Sequence, residues 1–267
     1  MKLYDCILFN DEIELLELRL KETEDVVYKW VIVECDMNFQ QKPKPLYFKE
    51  NKSHFGPYLN RIHHVVIDKH PVGPHPVIEH YQRRCLQKAW LDAGAVVGDL
   101  IMISDADEIA DSETLKKLLA APPPTMVVLK QYLYYYTVDC LQNQTWNGPV
   151  VFQLGSGEYD AQQIRNRKNR LPVVKPGGWH FSWLGPVDRI QYKLRCLDVG
   201  RESRGDFHRP SADDVEFISE CIRSGKDIFG RTDEYAKKRF VDIVPGSLHP
   251  KHIESWLQKY PQFAQRP

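Results

Sequence analysis

Short apolar runs that end on carboxylates alternate with stretches of helical periodicity through the first part of the chain. Tyr4–Phe9 reads as a first strand, closed by Asn10, Asp11 and Glu12. A helix follows from about Ile13 to Lys21, with Leu15, Leu16, Leu18 and Leu20 supplying its apolar side. Lys29–Glu34 and Arg61–Asp68 form a second and a third strand, and each finishes on an acid. Between them, Lys42-Pro-Lys-Pro45 is too irregular for a regular element. Pro71, Pro74 and Pro76 mark a turn, with Pro76 at the first position of a helix that runs to about Ala93 and stops at Gly94. Ile78, Tyr81, Cys85 and Ala89 share one face of that helix, and Gln82, Arg83 and Arg84 lie towards the others.

The fourth strand, Leu100–Ser104, ends abruptly in Asp105, Ala106, Asp107 and Glu108. A continuous apolar run suits a strand covered on both faces. Unpaired buried carboxylates are costly, so these acids belong at the carboxyl edge of the sheet, where open α/β folds place ligands. Two acids spaced i, i+2 at a strand end suit a hard divalent cation that carries phosphate oxygens. An Asp-rich turn that merely caps a helix is the alternative reading. Strands alternating with helices imply parallel βαβ units with right-handed crossovers.

The second part of the chain is less regular. Helices are expected over Ser112–Ala121, capped by Ser112, from Pro186 with Val187, Ile190, Leu194 and Leu197 as its stripe, and over Ala212–Ser224 and His252–Tyr260. Met126–Tyr136, Trp146–Leu154 and Gly177–Trp183 are strand-like. In the dense cluster Tyr132, Tyr134, Tyr135 and Tyr136, alternation puts Tyr134 and Tyr136 on one face and Tyr135 on the other, and the cluster either forms an aromatic platform for sugar rings or packs a core. His180 is either a metal ligand beside the aspartates or a hydrogen-bonded core histidine. The basic cluster Arg165, Arg167, Lys168 and Arg170 either meets phosphate or forms a solvated face. With no convincing linker, residues 1–267 are expected to form one domain, divided into halves 1–110 and 111–267.

Lysine plus arginine number 36 and aspartate plus glutamate 36, a balance that points away from nucleic acid and anionic membranes as partners. There is no signal-peptide pattern and no apolar stretch long enough to span a bilayer, although transient membrane contact is compatible with the sequence. The six cysteines are scattered with no Cys-x-x-Cys, as expected in a reducing cytoplasm. Neither a dinucleotide fingerprint nor a P-loop, a Gly-x-Ser-x-Gly or a His-Glu-x-x-His motif occurs.

Six segments recur in order as a recognisable set: Tyr4-Asp-Cys-Ile-Leu-Phe-Asn-Asp-Glu12, Val31-Ile-Val-Glu34, Lys42-Pro-Lys-Pro-Leu46, Tyr81-Gln-Arg83, Ile103-Ser-Asp-Ala-Asp-Glu-Ile109 and Gly178-Trp-His-Phe-Ser-Trp183. With the later Gly205-Asp-Phe207 and Ile222-Arg-Ser-Gly225, they resemble glycosyltransferase family 17, the β-1,4-N-acetylglucosaminyltransferases. The resemblance implies a GT-A-type glycosyltransferase fold, with a Rossmann-like, mostly parallel central sheet and an acceptor-binding C-terminal half. It implies an inverting, metal-dependent enzyme moving a sugar, N-acetylglucosamine first among candidates, from a UDP-sugar donor to a hydroxyl of a free, lipid-linked or protein-linked glycan. Unlike the anchored Golgi members, this chain starts at the catalytic domain, which fits a cytoplasmic form.

In that frame Asp107 binds Mn2+ (or Mg2+) directly, Asp105 assists through the metal or the donor ribose, and His180 is the candidate third ligand. Glu108 orients the site or touches the sugar. Phe9, Asn10, Glu12 and Glu34 belong to the nucleotide-sugar edge, and Arg83 reaches the diphosphate or locks Asp105. Tyr134, Tyr136, Trp179 and Trp183 are the acceptor-side aromatics. Asp188 is the first choice for the base that takes the acceptor proton, with Glu158 in the Gly155–Asp160 loop as reserve. Two rival classes are a metal-dependent phosphohydrolase, which expects its acid pair after the first strand, and a catalytically inactive carbohydrate-binding module.

Overall fold

The computed structural model describes residues 1–69, 71, 77–155, 160–196, 210–231 and 238–264. The chain divides into two compact units: Met1–Gln131 with Asn147–Gly178, and Tyr132–Trp146 with Trp179–Pro267. The boundary therefore differs from the expected division after residue 110, and the chain returns to the first unit before completing the second.

In the first unit, β1 (Leu3–Phe9), β2 (Lys29–Cys35), β3 (Ile62–Ile67) and β4 (Leu100–Asp105) run parallel in the order β3-β2-β1-β4. This is the Rossmann-like parallel arrangement expected from the sequence. The register sets Phe9 opposite Glu34 and Leu8 opposite Asp105, so the polar ends of three strands emerge at one edge. A short β5 (Glu108–Ala110) follows the acidic turn. The first part of β6 (Val127–Tyr135) and the last part of β7 (Cys140–Gln153) complete the sheet, β7 running antiparallel to β4 with Met102 opposite Val151. A two-residue β8 (Val173–Val174) lies parallel to β6.

The apolar strands read as continuous runs because both sheet faces are covered. Leu3, Ile7, Trp30, Ile32, Leu100 and Met102 enter one core with Leu16 and Leu20 of helix α1 (Ile13–Thr23). Their neighbours Tyr4, Cys6, Val31, Val33, Ile101 and Ile103 enter a second core with Leu86, Ala89 and Trp90. These last three come from helix α3 (Val77–Asp92). A one-residue slip in any of these strands would exchange the two sets.

Three local differences from the sequence reading have physical causes. The stretch after the Lys-Pro-Lys-Pro segment holds a one-turn helix α2 (Tyr47–Glu50), whose Phe48 and Lys49 N–H groups are met by Glu34 of β2 rather than announced by a period, and a 3₁₀ segment (Lys52–Arg61). Helix α4 (Ser112–Ala120) is capped by Asp111, whose side chain accepts from the Thr114 N–H at 2.9 Å, and not by Ser112. Helix α5 (Ala161–Asn166) is too short to show a period and is announced only by its capping box, Asp160 with Gln163. Gly178 is required where it stands: its φ is +113°, and a Cβ there would lie 2.2 Å from the Ile109 carbonyl oxygen.

In the second unit, the end of β6 pairs in parallel with β9 (Gly178–Ser182), placing Tyr132 opposite Trp179 and Leu133 opposite His180. The start of β7 pairs with β10 (Lys238–Phe240). Helix α6 (Val187–Cys196) and helix α7 (Val215–Ser224) close a core of Leu133, Tyr135, Tyr136, Trp183, Ile190, Leu194, Ile218, Ile222 and Phe229. Helix α8 (Ile253–Lys259) adds Trp256, stacked on Phe263.

Candidate functional site

The carboxyl edge of the first unit's sheet gathers a dense ionic cluster around the end of β4. Arg83, expected away from the apolar stripe of α3 and either on the diphosphate or locking Asp105, is 7% exposed and takes the second course. It donates to Asp105 Oδ1 at 3.1 Å, to Glu79 at 2.9 Å and to the Gln162 amide oxygen at 2.9 Å. Arg165 of α5 donates to Asp105 Oδ2 at 2.7 Å, to both oxygens of Glu108 at 3.0 Å and to the Gly148 carbonyl at 2.7 Å. Glu108 in turn accepts from the Asp105 N–H at 3.0 Å, closing the turn on itself. Lys168 Nζ stands 3.9 Å from Glu108.

Burial opposes the charge on Asp105, but the guanidinium groups of Arg165 and Arg83 outweigh it and hold the carboxyl well below its usual range. Burial likewise opposes charge on Arg165, and Asp105 and Glu108 more than restore it. Lys168 is the member left under strain: burial, then repulsion from Arg165, pushes its ammonium down to about 8. The basic cluster is thus not a solvated face at Arg165, which is 6% exposed.

Phe9 lies at the end of β1 with its ring 6.1 Å from that of Phe48, edge to face. Glu12 accepts from the N–H groups of Asn10 and Asp11, each at 3.2 Å, and so shapes the β1–α1 turn at this edge. Glu34 is fully buried. It accepts from the Phe48 and Lys49 N–H groups at 2.7 and 3.2 Å and lies 3.1 Å from His64 Nε2. Its place on the nucleotide-sugar edge is corrected accordingly: both oxygens serve the N-terminus of α2. Glu108 is also fully buried and committed to Arg165, which leaves it the orienting role and removes contact with a sugar.

The acceptor-side aromatics are corrected too. Tyr134 and Tyr136 are fully buried, and Trp179 and Trp183 are 2% and 4% exposed. Tyr134 donates to the Leu248 carbonyl at 2.5 Å, Tyr136 to the Lys226 carbonyl at 2.6 Å, and the Trp179 indole N–H to the Ser247 carbonyl at 3.3 Å. Trp183 packs edge-on against Phe229. Each ring is buried within the second unit, and the polar tips of Tyr134, Tyr136 and Trp179 are tied to carbonyls, so none offers a face to a glycan. His180 belongs to the same unit, with its ring 4.8 Å from that of Trp146. Asp188 sits exposed in the first turn of α6. Glu158 lies outside the described residues, as does the Gly205–Phe207 segment.

A model of glycosyltransferase family 17 matches residues 1–254. The chain belongs to that family. Relatives of this family-17 chain include the beta-1,4-mannosyl-glycoprotein 4-beta-N-acetylglucosaminyltransferases of Rattus norvegicus and Homo sapiens, each 26% identical over 98% of this chain. The chain spans about half their length, 54% in each case. Among solved structures, a 4-diphosphocytidyl-2C-methyl-D-erythritol synthase overlays on 66% of this chain and 88% of its own, at 15% identity and a TM-score of 0.38. That likeness is too remote to bear on function.

The donor set of the family-17 chain departs from the expected metal triad. Among the described residues no three His, Cys, Asp or Glu side chains come together as a cation site. Both oxygens of Asp105 are engaged by arginines. Asp107 lies in the same turn and is 7% exposed, and magnesium-like ions are commonly held by one or two carboxylates together with substrate phosphates. The residues therefore fit a cation that arrives with a diphosphate, and not a preformed protein cage. Sequence reasoning missed Gln162 and Arg19 as site residues, and it placed Arg165 only in a basic cluster that either meets phosphate or is solvated. The only signals were a capping box on a short helix and an arginine set among the leucines of α1.

Proposed function

We propose that this chain is a glycosyltransferase that moves N-acetylglucosamine from UDP-N-acetylglucosamine to a glycan hydroxyl with inversion. The observation that carries the reading is the Asp105–Glu108 turn, held by Arg83 and Arg165 at the carboxyl edge of a parallel sheet, where α/β folds receive nucleotides. Membership of family 17 and the names of its relatives support the donor.

Asp107 would hold a manganese or magnesium ion together with the diphosphate, and the ion's chemistry would be to neutralise charge on the departing UDP. Lys168, charged below about pH 8, adds a cation beside the same edge. The β1–α1 turn shaped by Asn10 and Glu12 lies at the end of β1 and is suited to the nucleoside. Asp188 is the proposed base for the acceptor hydroxyl, supported by its exposed carboxylate and by the family resemblance. The six free thiols support a reducing compartment such as the cytoplasm. No helix among the described residues is long and apolar enough to cross a membrane.

Thermal unfolding with UDP, UDP-N-acetylglucosamine, UDP-glucose and GDP-mannose, each with and without manganese, tests the donor site. A ligand at a hundred times its dissociation constant stabilises by about 2.7 kcal/mol, a shift of a few degrees at this size. Manganese-dependent shifts with the UDP compounds alone are expected. Equal shifts with GDP-mannose, or none with any nucleotide, would reject the donor assignment.

A further inference from the structure

Two buried guanidinium groups grip the same four-residue turn by different atoms. Arg19, from the middle of α1, takes the main chain: it donates to the carbonyl oxygens of Asp105 at 3.1 Å and Glu108 at 2.9 Å. Arg165, from α5, takes the side chains of the same two residues, at 2.7 Å from Asp105 and 3.0 Å from each Glu108 oxygen. Each arginine is itself fixed. Arg19 forms a forked pair with Asp5 at 2.7 and 2.5 Å and also reaches the Ser104 hydroxyl; Arg165 is held to the Gly148 carbonyl.

Asp5 lies in β1, Ser104 and Asp105 in the neighbouring parallel strand β4, and Glu108 at the end of the turn that follows, so the clamp ties the turn to two paired strands of the sheet. Arg19 is fully buried and Arg165 nearly so, which makes their charge-assisted hydrogen bonds strong and geometrically demanding.

We infer that Arg165 is a positioning residue for the transfer reaction: by spanning Asp105 and Glu108 it fixes the turn and thereby the direction of the Asp107 carboxylate between them. The inference rests on the proposed binding of a metal–UDP-sugar complex at this edge. A planar guanidinium can satisfy two carboxylates at once, whereas a lysine ammonium is a point donor that cannot hold both in register. Arg165 touches neither metal nor donor in this scheme; its effect passes through Asp107. A misplacement of about 1 Å in such a group lowers turnover by about a hundredfold.

The test compares the wild-type chain with Arg165→Lys and Glu108→Gln. It measures turnover of UDP-N-acetylglucosamine, the manganese concentration giving half-maximal rate, UDP affinity by calorimetry, and Tm. Arg165→Lys is expected to lower kcat by about a hundredfold and raise the manganese requirement by about tenfold, with cooperative unfolding retained. Glu108→Gln, which keeps the shape and loosens one anchor, shifts both quantities in the same directions by less, and it carries the test if the lysine variant does not fold. A folded variant with wild-type kcat and manganese requirement but a lower Tm would reduce Arg165 to a structural ion pair and overturn the inference alone. Failure of the wild-type chain to bind UDP, with or without manganese, would instead overturn the donor reading and the inference with it.

Discussion

Arg83 donates to Asp105 across 3.1 Å, from α3 to the end of β4. With Arg165 on the other carboxylate oxygen, this contact commits both oxygens of Asp105 to arginines. A divalent ion drawn to Asp105 would meet two fixed positive charges, and the repulsion between like charges is not screened away in a partly buried site. Asp105 thus holds arginines, and the metal–diphosphate complex proposed for this edge turns on Asp107, itself 7% exposed.

The two aspartates should therefore separate in mutation. Asp107→Asn is expected to abolish manganese-dependent turnover while the chain still unfolds cooperatively. Asp105→Asn removes a counter-charge from two buried arginines and should cost roughly 1–3 kcal/mol of stability, discounted because the Asp105 side chain is 39% exposed. Turnover and thermal unfolding measured on both variants check the split; manganese-dependent turnover retained in Asp107→Asn would contradict it.

Asp188 tests the chemistry apart from donor binding. Asp188→Asn should keep wild-type affinity for UDP and lose transfer by about 10²–10⁴-fold, the usual contribution of a general base. Transfer at the wild-type rate would move the proton acceptor elsewhere, with Glu158 next in line.

Lys168 makes a pH prediction with a definite sign. Its ammonium is pushed down from 10.5 to about 8 in the folded chain. Below about pH 8 it is charged in both states; between there and its ordinary value the unfolded chain binds more protons, so folding stability rises with pH. Lys168→Met lacks this contribution. Denaturant unfolding of both proteins from about pH 7 to pH 9.5 should show wild type gaining on the variant as pH rises, and a constant difference would mean that Lys168 is not strained.

Gly178→Ala forces a side chain into a left-handed position and against the Ile109 carbonyl. The expected cost is at least about 1 kcal/mol, seen as a Tm lower by about 2–4 °C or more. An unchanged Tm would show that the β5–β9 region relaxes freely.

The parallel half of the fold was legible because its strands are continuous apolar runs and α1 and α3 carry long periods. The observed limits of β1, β2, β3 and β4 lie within a residue or so of the expected ones. The acidic turn was legible for the same reason: charge cannot follow Ile103 into a core. Of its partners, Arg83 was legible only through the family resemblance and Arg165 only as one of a basic cluster. Arg165 reaches Asp105 across 60 residues of sequence from a single-turn helix, and Arg83 lies on a helix whose period predicts the apolar face but not a buried cluster of arginine, glutamate and glutamine. The aromatics misled because β-strand composition is the same for a core and for a sugar platform; only burial of Tyr134, Tyr136, Trp179 and Trp183 separates the two.

The most direct test of the account is the release of UDP from UDP-N-acetylglucosamine by the purified chain, with and without manganese, beside Asp107→Asn. Metal-dependent release by the wild type, even as slow hydrolysis without acceptor, and none by the variant is the predicted result. No release under any condition, or equal release by the two proteins, would contradict a donor site at the Asp105–Glu108 turn.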